Sequence, residues 1–90
     1  MADANVRVQA GAILFREGDP GDCAYFLESG EVEVSILRQG RRIVLGRRGP
    51  GEMFGEMAIV DGQPRSATVT TVAPSSFVLI TRKQLSTRLE

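Results

Sequence analysis

The sequence predicts a mainly β domain built as a sandwich or a barrel. Short runs of β-branched and apolar residues recur at roughly 8–12-residue spacing along the chain. Clusters of Gly, Pro, Asp and Gln separate these runs and mark turns, whereas helical patterns are weak outside two short stretches. With 90 residues, the chain is long enough for one hydrophobic core, so a single domain is expected.

Four strands are predicted directly from the side-chain pattern. Glu31–Ile36 and Thr68–Val72 alternate polar and apolar residues at period two, which is typical of a half-buried strand. Ile43–Leu45 and Ser76–Ile80 are instead rich in β-branched and large apolar residues, which favour a pleated, half-buried surface. Each of these segments is therefore expected to pack one face against a shared core.

Turns and helices are predicted from their own signals. The expected turns lie at Gly18–Asp22, Gln39–Arg41, Gly49–Gly51 and Asp61–Pro64. A helical turn is predicted at Glu56–Val60, and a helix over Arg82–Leu89 with Thr81 as its N-cap. The sequence contains no internal repeat, low-complexity tract or linker.

The overall charge argues against strong electrostatic partners. The 11 basic and 11 acidic residues cancel, so we expect no direct nucleic acid binding by this domain. No apolar run is long enough to predict a membrane span, and the first residues lack a secretory signal, so a cytoplasmic location is expected.

Two arginine doublets flank one of the predicted strands. In an alternating strand, one member of Arg41–Arg42 and one of Arg47–Arg48 would face solvent. We interpret them as charges that keep an edge hairpin soluble, balanced by Glu28, Glu31 and Glu33. A contact patch for nucleic acid or acidic lipid is the alternative interpretation, which the zero net charge and the absence of interleaved aromatic residues disfavour.

The chain lacks the residues on which most catalytic sites depend. It has no histidine, which removes the commonest general base and the commonest metal ligand. We therefore predict no catalytic residue, no metal site and no cofactor, and we do not expect an enzyme. The alternative is a metal enzyme, because β-barrels of the cupin type host metal oxygenases and isomerases. The single cysteine, Cys23, cannot form an internal disulfide; it is expected to be an ordinary small side chain, with a redox-sensing thiol as the alternative.

The segment Phe54–Val69 has the residues needed to bind a phosphate and a sugar. Gly55 lets the backbone approach a ligand, and the helical turn that starts there has free N–H groups. Arg65 supplies a planar, permanently charged fork suited to phosphate, and Ser66 adds a hydroxyl donor. A carboxylate beside a phosphate would be repelled, so Glu56 is predicted to accept hydrogen bonds from sugar hydroxyls instead.

This segment resembles the phosphate-binding cassette of the cyclic-nucleotide-binding domain family, and we call it the cassette. The family includes the catabolite activator protein, the regulatory subunits of cyclic-AMP-dependent kinase and the cyclic-nucleotide-gated channels. Gly11–Asp19, Ala24–Val32 and Ser76–Leu85 resemble other strands of the family's barrel, so the resemblance covers approximately residues 8–85. It implies an eight-stranded jelly-roll β-barrel with a short cassette helix and a truncated C-terminal helix, forming one domain over residues 1–90.

The resemblance also implies a role for each cassette residue. It assigns the ligand contacts to Gly55, Glu56, Met57, Ala58, Arg65, Ser66 and Ala67. Gly55 would let the helix start beside the phosphate, Glu56 would accept the ribose 2′-hydroxyl, and the amides at the helix start would hold sugar and phosphate. Arg65 would pair with one exocyclic phosphate oxygen, while Ser66 and the next amide would approach the other.

The resemblance predicts a regulatory module that senses a cyclic nucleotide without catalysis. Cyclic AMP is the expected ligand and cyclic GMP the alternative, because threonine at the position of Ser66 is the commoner companion of guanine recognition in the family. Ligand binding would move the elements beyond the barrel and control an effector domain or protein of unknown type. Family members usually continue into a longer lid helix, whereas this chain ends at Glu90, so an exposed apolar patch and possible homodimer are expected. The alternative function is a jelly-roll protein-interaction module with a vestigial pocket.

Overall fold

Strands dominate residues 4–84, the part of the chain that the computed structural model describes. In chain order the elements are β1 (Ala4–Val8), β2 (Ile13–Phe15), β3 (Cys23–Ser29), β4 (Val32–Arg38), β5 (Arg41–Arg48), β6 (Met53–Phe54), α1 (Met57–Val60), β7 (Thr68–Thr71) and β8 (Ser75–Thr81). No helix within residues 4–84 is both long enough and apolar enough to cross a membrane.

The strands form two four-stranded antiparallel sheets. Their orders are β1-β8-β3-β6 in one sheet and β2-β7-β4-β5 in the other. Consecutive strands lie in opposite sheets, except for the hairpin that joins β4 to β5. This interleaving of eight strands is that of a jelly roll, so the mainly β, jelly-roll fold expected from the sequence is confirmed.

The core lies between the two sheets and behind the cassette. Leu27, Val32 and Phe77 are fully buried in it, and Phe54 and Val69 from the two ends of the cassette pack against them. An aromatic cluster of Phe15, Tyr25, Phe54 and Phe77 runs through this core, with contacting ring centroids 5.6–6.4 Å apart. Such tilted and edge-on pairs contribute beyond simple area burial, so the cassette is anchored at both ends.

Helix α1 is held to the first sheet by a smaller apolar cluster. Ile59 is buried against Ala24 of β3 and Ile80 of β8, and Ala58 is buried beside it. A helix of four residues is too short to be stable alone. Its position is therefore fixed by this packing, and the predicted helical turn at Glu56–Val60 is confirmed.

The four predicted strands are all present, and β5 extends well beyond the Ile43–Leu45 run from which it was predicted. β5 includes both arginine doublets, because those residues pair with β4 along its whole length. Arg42 is ion-paired with Glu33, and Arg47 with Glu31 and Glu33 at 3.6 and 3.8 Å. Of the three glutamates predicted to balance the arginine doublets, Glu31 and Glu33 therefore do form ion pairs with them.

The end of β8 leads into the predicted C-terminal helix. Residues 82–84 are helical. Thr81 and Gln84 cap this start reciprocally: the Thr81 amide donates to Gln84 Oε1 at 2.8 Å, and the Gln84 amide donates to Thr81 Oγ1 at 3.3 Å. This pairing is a capping box, which confirms Thr81 as the N-cap. The rest of the predicted helix lies outside the described residues.

Candidate functional site

A cavity of about 520 Å³ opens between α1, the cassette loop and the inner face of the second sheet. Its wall contains all seven residues predicted to contact a ligand, namely Gly55, Glu56, Met57, Ala58, Arg65, Ser66 and Ala67. Phe15, Val34, Met53 and Val69 supply an apolar part of the wall. The volume and the mixture of apolar surface with a few polar groups are typical of a small-molecule site.

Gly55 makes the turn from β6 into α1 possible. Its φ of +79° lies in the left-handed region, which a side chain rarely adopts. A Cβ at this position would also lie 2.5 Å from Arg65 Nη1. The glycine therefore serves two purposes: it permits the turn and it lets the arginine approach the backbone.

Arg65 is buried, with 5% of its surface exposed. Nη1 donates to the Gly55 carbonyl at 2.9 Å, and Nη2 donates to the Cys23 carbonyl at 2.8 Å. The guanidinium carbon lies 4.1 Å from the centroid of the Phe15 ring, in the position of a cation–π contact. Within residues 4–84, Nε is buried without a hydrogen-bond partner.

No carboxylate within the described residues forms an ion pair with Arg65. A guanidinium stays charged at any ordinary pH, and a buried charge is costly unless it is paired. The cavity beside Arg65 is therefore chemically suited to an anion.

Backbone hydrogen bonds hold Arg65 against the loop between β2 and β3. Its amide donates to the Asp19 carbonyl at 2.8 Å, and its carbonyl accepts from the Gly18 amide at 2.8 Å. The same loop brings Gly21 against the side chain, where an added Cβ would lie 2.4 Å from Arg65 Nε. The predicted turn at Gly18–Asp22 begins one residue earlier in the structure, at residues 17–18, and residues 19–22 are irregular. This loop supports the cassette and also connects β2 to β3.

Glu56 is half-buried and lies at the N-cap of α1. Its backbone carbonyl accepts from the amides of Ile59 and Val60, at 3.1 and 3.0 Å. Its side chain makes no capping hydrogen bond, and among the described residues it forms no ion pair. The carboxylate, which can only accept hydrogen bonds when ionised, is therefore available to a ligand with hydroxyl groups.

The remaining predicted residues occupy different depths of the cavity wall. Met57 is exposed and Ala58 is buried, and both belong to the first turn of α1, whose amides have no intrahelical acceptor. Ser66 is exposed, whereas Ala67 is buried in the core. The structure therefore brings together one buried cation, one half-buried carboxylate and an exposed hydroxyl.

Three contributors to the site were not predicted from the sequence. The Cys23 carbonyl, Gly21 and Phe15 all contact Arg65, but they come from segments far along the chain. The pattern Pro20-Gly21-Asp22 indicated a turn and nothing more. Only the tertiary fold, which places that turn beside the cassette, reveals why a glycine is needed there.

Tyr25 shows how desolvated this region is. Burial is the main cause that raises the pKa of its phenol, and the neighbouring Cys23 adds to the rise, while the Arg65 charge opposes it. The phenol therefore remains neutral at physiological pH.

Among the described residues, no group of three or more His, Cys, Asp or Glu side chains is placed to hold a metal ion.

A family model described as "Cyclic nucleotide-binding domain" matches residues 5–90. The chain is 38% identical over 76 residues to a CRP-like cAMP-activated global transcriptional regulator of Mycobacterium tuberculosis, covering 83% of this chain and 34% of the relative. It is 41% identical over 71 residues to the cAMP-dependent protein kinase regulatory subunit of Emericella nidulans, covering 77% of this chain and 17% of the relative. The chain thus spans about a third or less of the length of these relatives.

Solved structures show the same similarity in three dimensions. The cAMP-bound form of the EAL enzyme Bd1971 superposes with a TM-score of 0.90 at 38% identity, covering 96% of this chain and 23% of that one. The cGMP-bound form of the same enzyme gives the same TM-score of 0.90 and the same identity of 38%. The fold of this chain is therefore similar to that of a protein solved with either cyclic nucleotide.

Proposed function

Because the chain belongs to the cyclic nucleotide-binding domain family, we propose that its cavity binds a cyclic purine nucleotide and that occupancy regulates an attached effector. The observation that carries this proposal is the buried Arg65, whose charge has no carboxylate partner in the described residues. An anionic ligand in the cavity would supply that partner.

The phosphate is proposed to bind at Arg65. A guanidinium has five N–H donors, and Arg65 uses two of them on backbone carbonyls, which leaves three. Hydrogen bonds to a charged group contribute about 1.5–3 kcal/mol each. Nε is buried away from solvent, so a phosphate can reach all three remaining donors only if the cassette adjusts around the ligand. Such an adjustment would shift the population toward a closed cassette, which is the regulatory signal that we propose.

The sugar is proposed to bind at the start of α1. The Glu56 carboxylate would accept the ribose 2′-hydroxyl, because a negative charge is repelled by phosphate and attracted by hydroxyl donors. The amides of Met57 and Ala58 would approach the sugar and one phosphate oxygen. The Ser66 hydroxyl and the Ala67 amide would approach the other phosphate oxygen.

Several further features of the function remain proposals drawn from the sequence and the family. We propose that the module binds its ligand without catalysis and without a cofactor, and that it acts in the cytoplasm. Cyclic AMP is the ligand that Ser66 favours. We also propose that the domain regulates an effector domain or protein of unknown type and that it can form a homodimer. The chain spans a third or less of the relatives' length.

Titration calorimetry tests the proposed function with four ligands: cyclic AMP, cyclic GMP, 5′-AMP and 2′-deoxy cyclic AMP. We expect saturable one-to-one binding of the cyclic nucleotides, with a Kd on the order of micromolar, and much weaker binding of 5′-AMP. No saturable heat up to millimolar ligand would favour the alternative, a protein-interaction module with a vestigial pocket.

Helix α1 offers a matched pair of variants for the same experiment. It has a carboxylate at each end, Glu56 in the cavity wall and Asp61 at the exposed C-cap. Glu56→Gln should weaken cyclic AMP about tenfold, as expected for one charge-assisted hydrogen bond, and should leave 2′-deoxy cyclic AMP nearly unchanged. Asp61→Asn should alter neither. Equal losses for both ligands in Glu56→Gln would refute the assignment of Glu56 to the ribose.

A further inference from the structure

The carboxylate of Glu17 joins the loop between β2 and β3 to the end of β4, away from the cavity wall. We infer that Glu17 is a positioning residue for Arg65: it fixes the loop that holds this arginine and thereby sets the place where the guanidinium meets a phosphate. This inference rests on the proposed function and deepens it, because it adds a residue that acts on the ligand without touching it.

The end of β4 has no neighbouring strand at the point where Glu17 reaches it. β7 pairs with β4 only as far as Ser35, whereas β4 continues to Arg38. Leu37 lies opposite Arg42, one position from the pair that flanks the two-residue turn, and at this position the backbone groups point away from β5. The Leu37 amide is therefore directed out of the hairpin, and Glu17 Oε1 accepts its hydrogen bond at 3.0 Å.

The second oxygen of the same carboxylate is also used. Arg38 Nη1 donates to Glu17 Oε2 at 2.7 Å and to the Leu37 carbonyl at 2.6 Å. The hydrogen bond from the Leu37 amide, followed by the bond from Arg38, lowers the pKa of the Glu17 carboxyl, while burial opposes the shift. Because the Arg38 side chain is 55% exposed, its ion pair contributes little, and the backbone bond is the main attachment.

Three consecutive residues carry this attachment to the cassette. The Glu17 amide donates to Thr68 Oγ1 at 3.0 Å. The Gly18 amide donates to the Arg65 carbonyl, and the Asp19 carbonyl accepts from the Arg65 amide, both at 2.8 Å. Glu17 is thus directly followed in the chain by the two residues whose backbone holds Arg65.

The turn that contains Glu17 is closed, so it passes a displacement on instead of absorbing it. The Asp19 amide donates to the Arg16 carbonyl at 3.0 Å, and the Arg16 amide donates to the Asp19 carboxylate at 3.1 Å. The same loop places Gly21 against the arginine side chain, where an added Cβ would lie 2.4 Å from Arg65 Nε. A shift of the turn therefore reaches the guanidinium of Arg65 as well as its backbone.

The position of Arg65 can be measured without any ligand. Its guanidinium carbon lies 4.1 Å from the centroid of the Phe15 ring, so the ring current of Phe15 shifts the Nε–H resonance, which heteronuclear NMR detects. Glu17→Ala removes both attachments to β4 and should move this resonance. Glu17→Gln keeps an oxygen for the Leu37 amide, and Arg38→Gln keeps that bond entirely, so both should move the resonance in the same direction by less.

Glu31→Gln is the matched control. Glu31 forms an ion pair with Arg47 at 3.6 Å, at the other end of the same hairpin, and its side chain makes no contact with the loop that holds Arg65. This variant should leave the Arg65 resonance unchanged.

Calorimetry with cyclic AMP and cyclic GMP measures the consequence for binding. Glu17→Ala should weaken a bound cyclic nucleotide about tenfold, as expected for one misaligned charge-assisted hydrogen bond, and Glu17→Gln less than about threefold. Glu31→Gln should bind as wild type does. Each Kd is measured well below the Tm of the variant, so a loss of stability alone does not change it.

An Arg65 resonance that stays at its wild-type position in Glu17→Ala would overturn the inference, and so would an equal shift in Glu31→Gln. A moved resonance with unchanged affinity would also overturn it, because the phosphate would then be insensitive to the position of Arg65. If Glu17→Ala does not fold, Glu17→Gln and Arg38→Gln decide by the same criteria. If the resonance moves but wild type binds neither nucleotide, the proposed function fails while the positioning of Arg65 by Glu17 stands.

Discussion

At the scale of single residues, the site is organised around one buried cation. Arg65 combines two bonds to carbonyls, a face-on contact with Phe15 and an unpartnered Nε. Two glycines, Gly21 and Gly55, leave the space that this arrangement requires. These neighbours hold the charge beside the cavity from three sides before any ligand binds.

Gly21→Ala should displace this arginine without touching the ligand directly. The new methyl group would lie 2.4 Å from Arg65 Nε and 2.5 Å from its Cζ, so the guanidinium must shift. Losing one or more charge-assisted hydrogen bonds to phosphate corresponds to about a tenfold to hundredfold weaker affinity for cyclic nucleotides. Calorimetry with the variant measures this loss.

Gly49→Ala is the matched control for that substitution. Gly49 also avoids the left-handed region, but a Cβ there meets no atom within 4 Å. The Gly49→Ala variant should therefore bind cyclic nucleotides with the affinity of the wild type. If Gly21→Ala retained wild-type affinity as well, the position of Arg65 would not matter for binding.

Tyr25 gives a direct measure of desolvation behind the cassette. It is the only tyrosine, and the chain has no tryptophan, so its phenolate absorption can be followed without interference. Burial raises its pKa, so in the folded protein the absorption should titrate at higher pH than in concentrated urea. Because the unfolded state then loses this proton first, the free energy of unfolding should fall as pH rises above about 10. Coincident titrations in buffer and in urea would contradict the burial of the phenol.

At the scale of secondary-structure elements, the β4–β5 hairpin presents Arg48 to the cavity. Its turn consists of Gln39 and Gly40, whose φ values of +53° and +76° are both positive. Two consecutive positive φ values are characteristic of a type I′ turn, which matches the twist of the flanking strands. Asn-Gly is the preferred pair for this turn, and glutamine tolerates the left-handed region less well.

Gln39→Asn should therefore stabilise the protein by about 0.5–1 kcal/mol, the size expected when strain at a left-handed residue is relieved. Urea unfolding at neutral pH measures the change as a higher midpoint with the same slope. Gln9→Asn is the control, because Gln9 has no positive φ. A lower midpoint in Gln39→Asn would mean that the glutamine side chain makes a stabilising contact.

The sequence predicted elements whose signals are local and missed those that depend on pairing. The positions of β4, β7 and β8 follow from alternation and apolar content, and each strand was predicted within two residues of its observed bounds. β6 has only two residues, so it shows no period, and it exists because it pairs with β3. β1 likewise depends on pairing, in this case with β8.

The candidate site divides in the same way. The seven cassette residues were identified from a contiguous motif, and they do line one cavity. The inward direction of Arg65 was not predictable, because its acceptor on Cys23 lies 42 residues away in sequence. Arg48 was interpreted only as a member of a solubilising doublet, since its face is decided by the register with β4.

At the scale of the whole molecule, a considerable apolar surface is exposed. Four large side chains of the β4–β5 hairpin, Leu37, Ile43, Val44 and Leu45, and two of α1, Met57 and Val60, are exposed in the described structure. Exposed apolar side chains of this size can form part of an interaction surface. Because α1 also borders the cavity, a partner that contacts it would sense the state of the cassette.

Ligand binding should stabilise the entire fold, since the cavity is assembled from β2, both strands of the hairpin, β6, α1 and β7. A ligand that binds only the folded state contributes about 2.7 kcal/mol at one hundred times its Kd. For a domain of this size, each kcal/mol raises Tm by about 4–8 °C, so a shift of about 10–20 °C is expected. Thermal denaturation with cyclic GMP and cyclic AMP, each at one hundred times its measured Kd, provides the test. 5′-AMP at the same concentrations should give a much smaller shift, and an equal one would show that stabilisation does not depend on the cyclic phosphate.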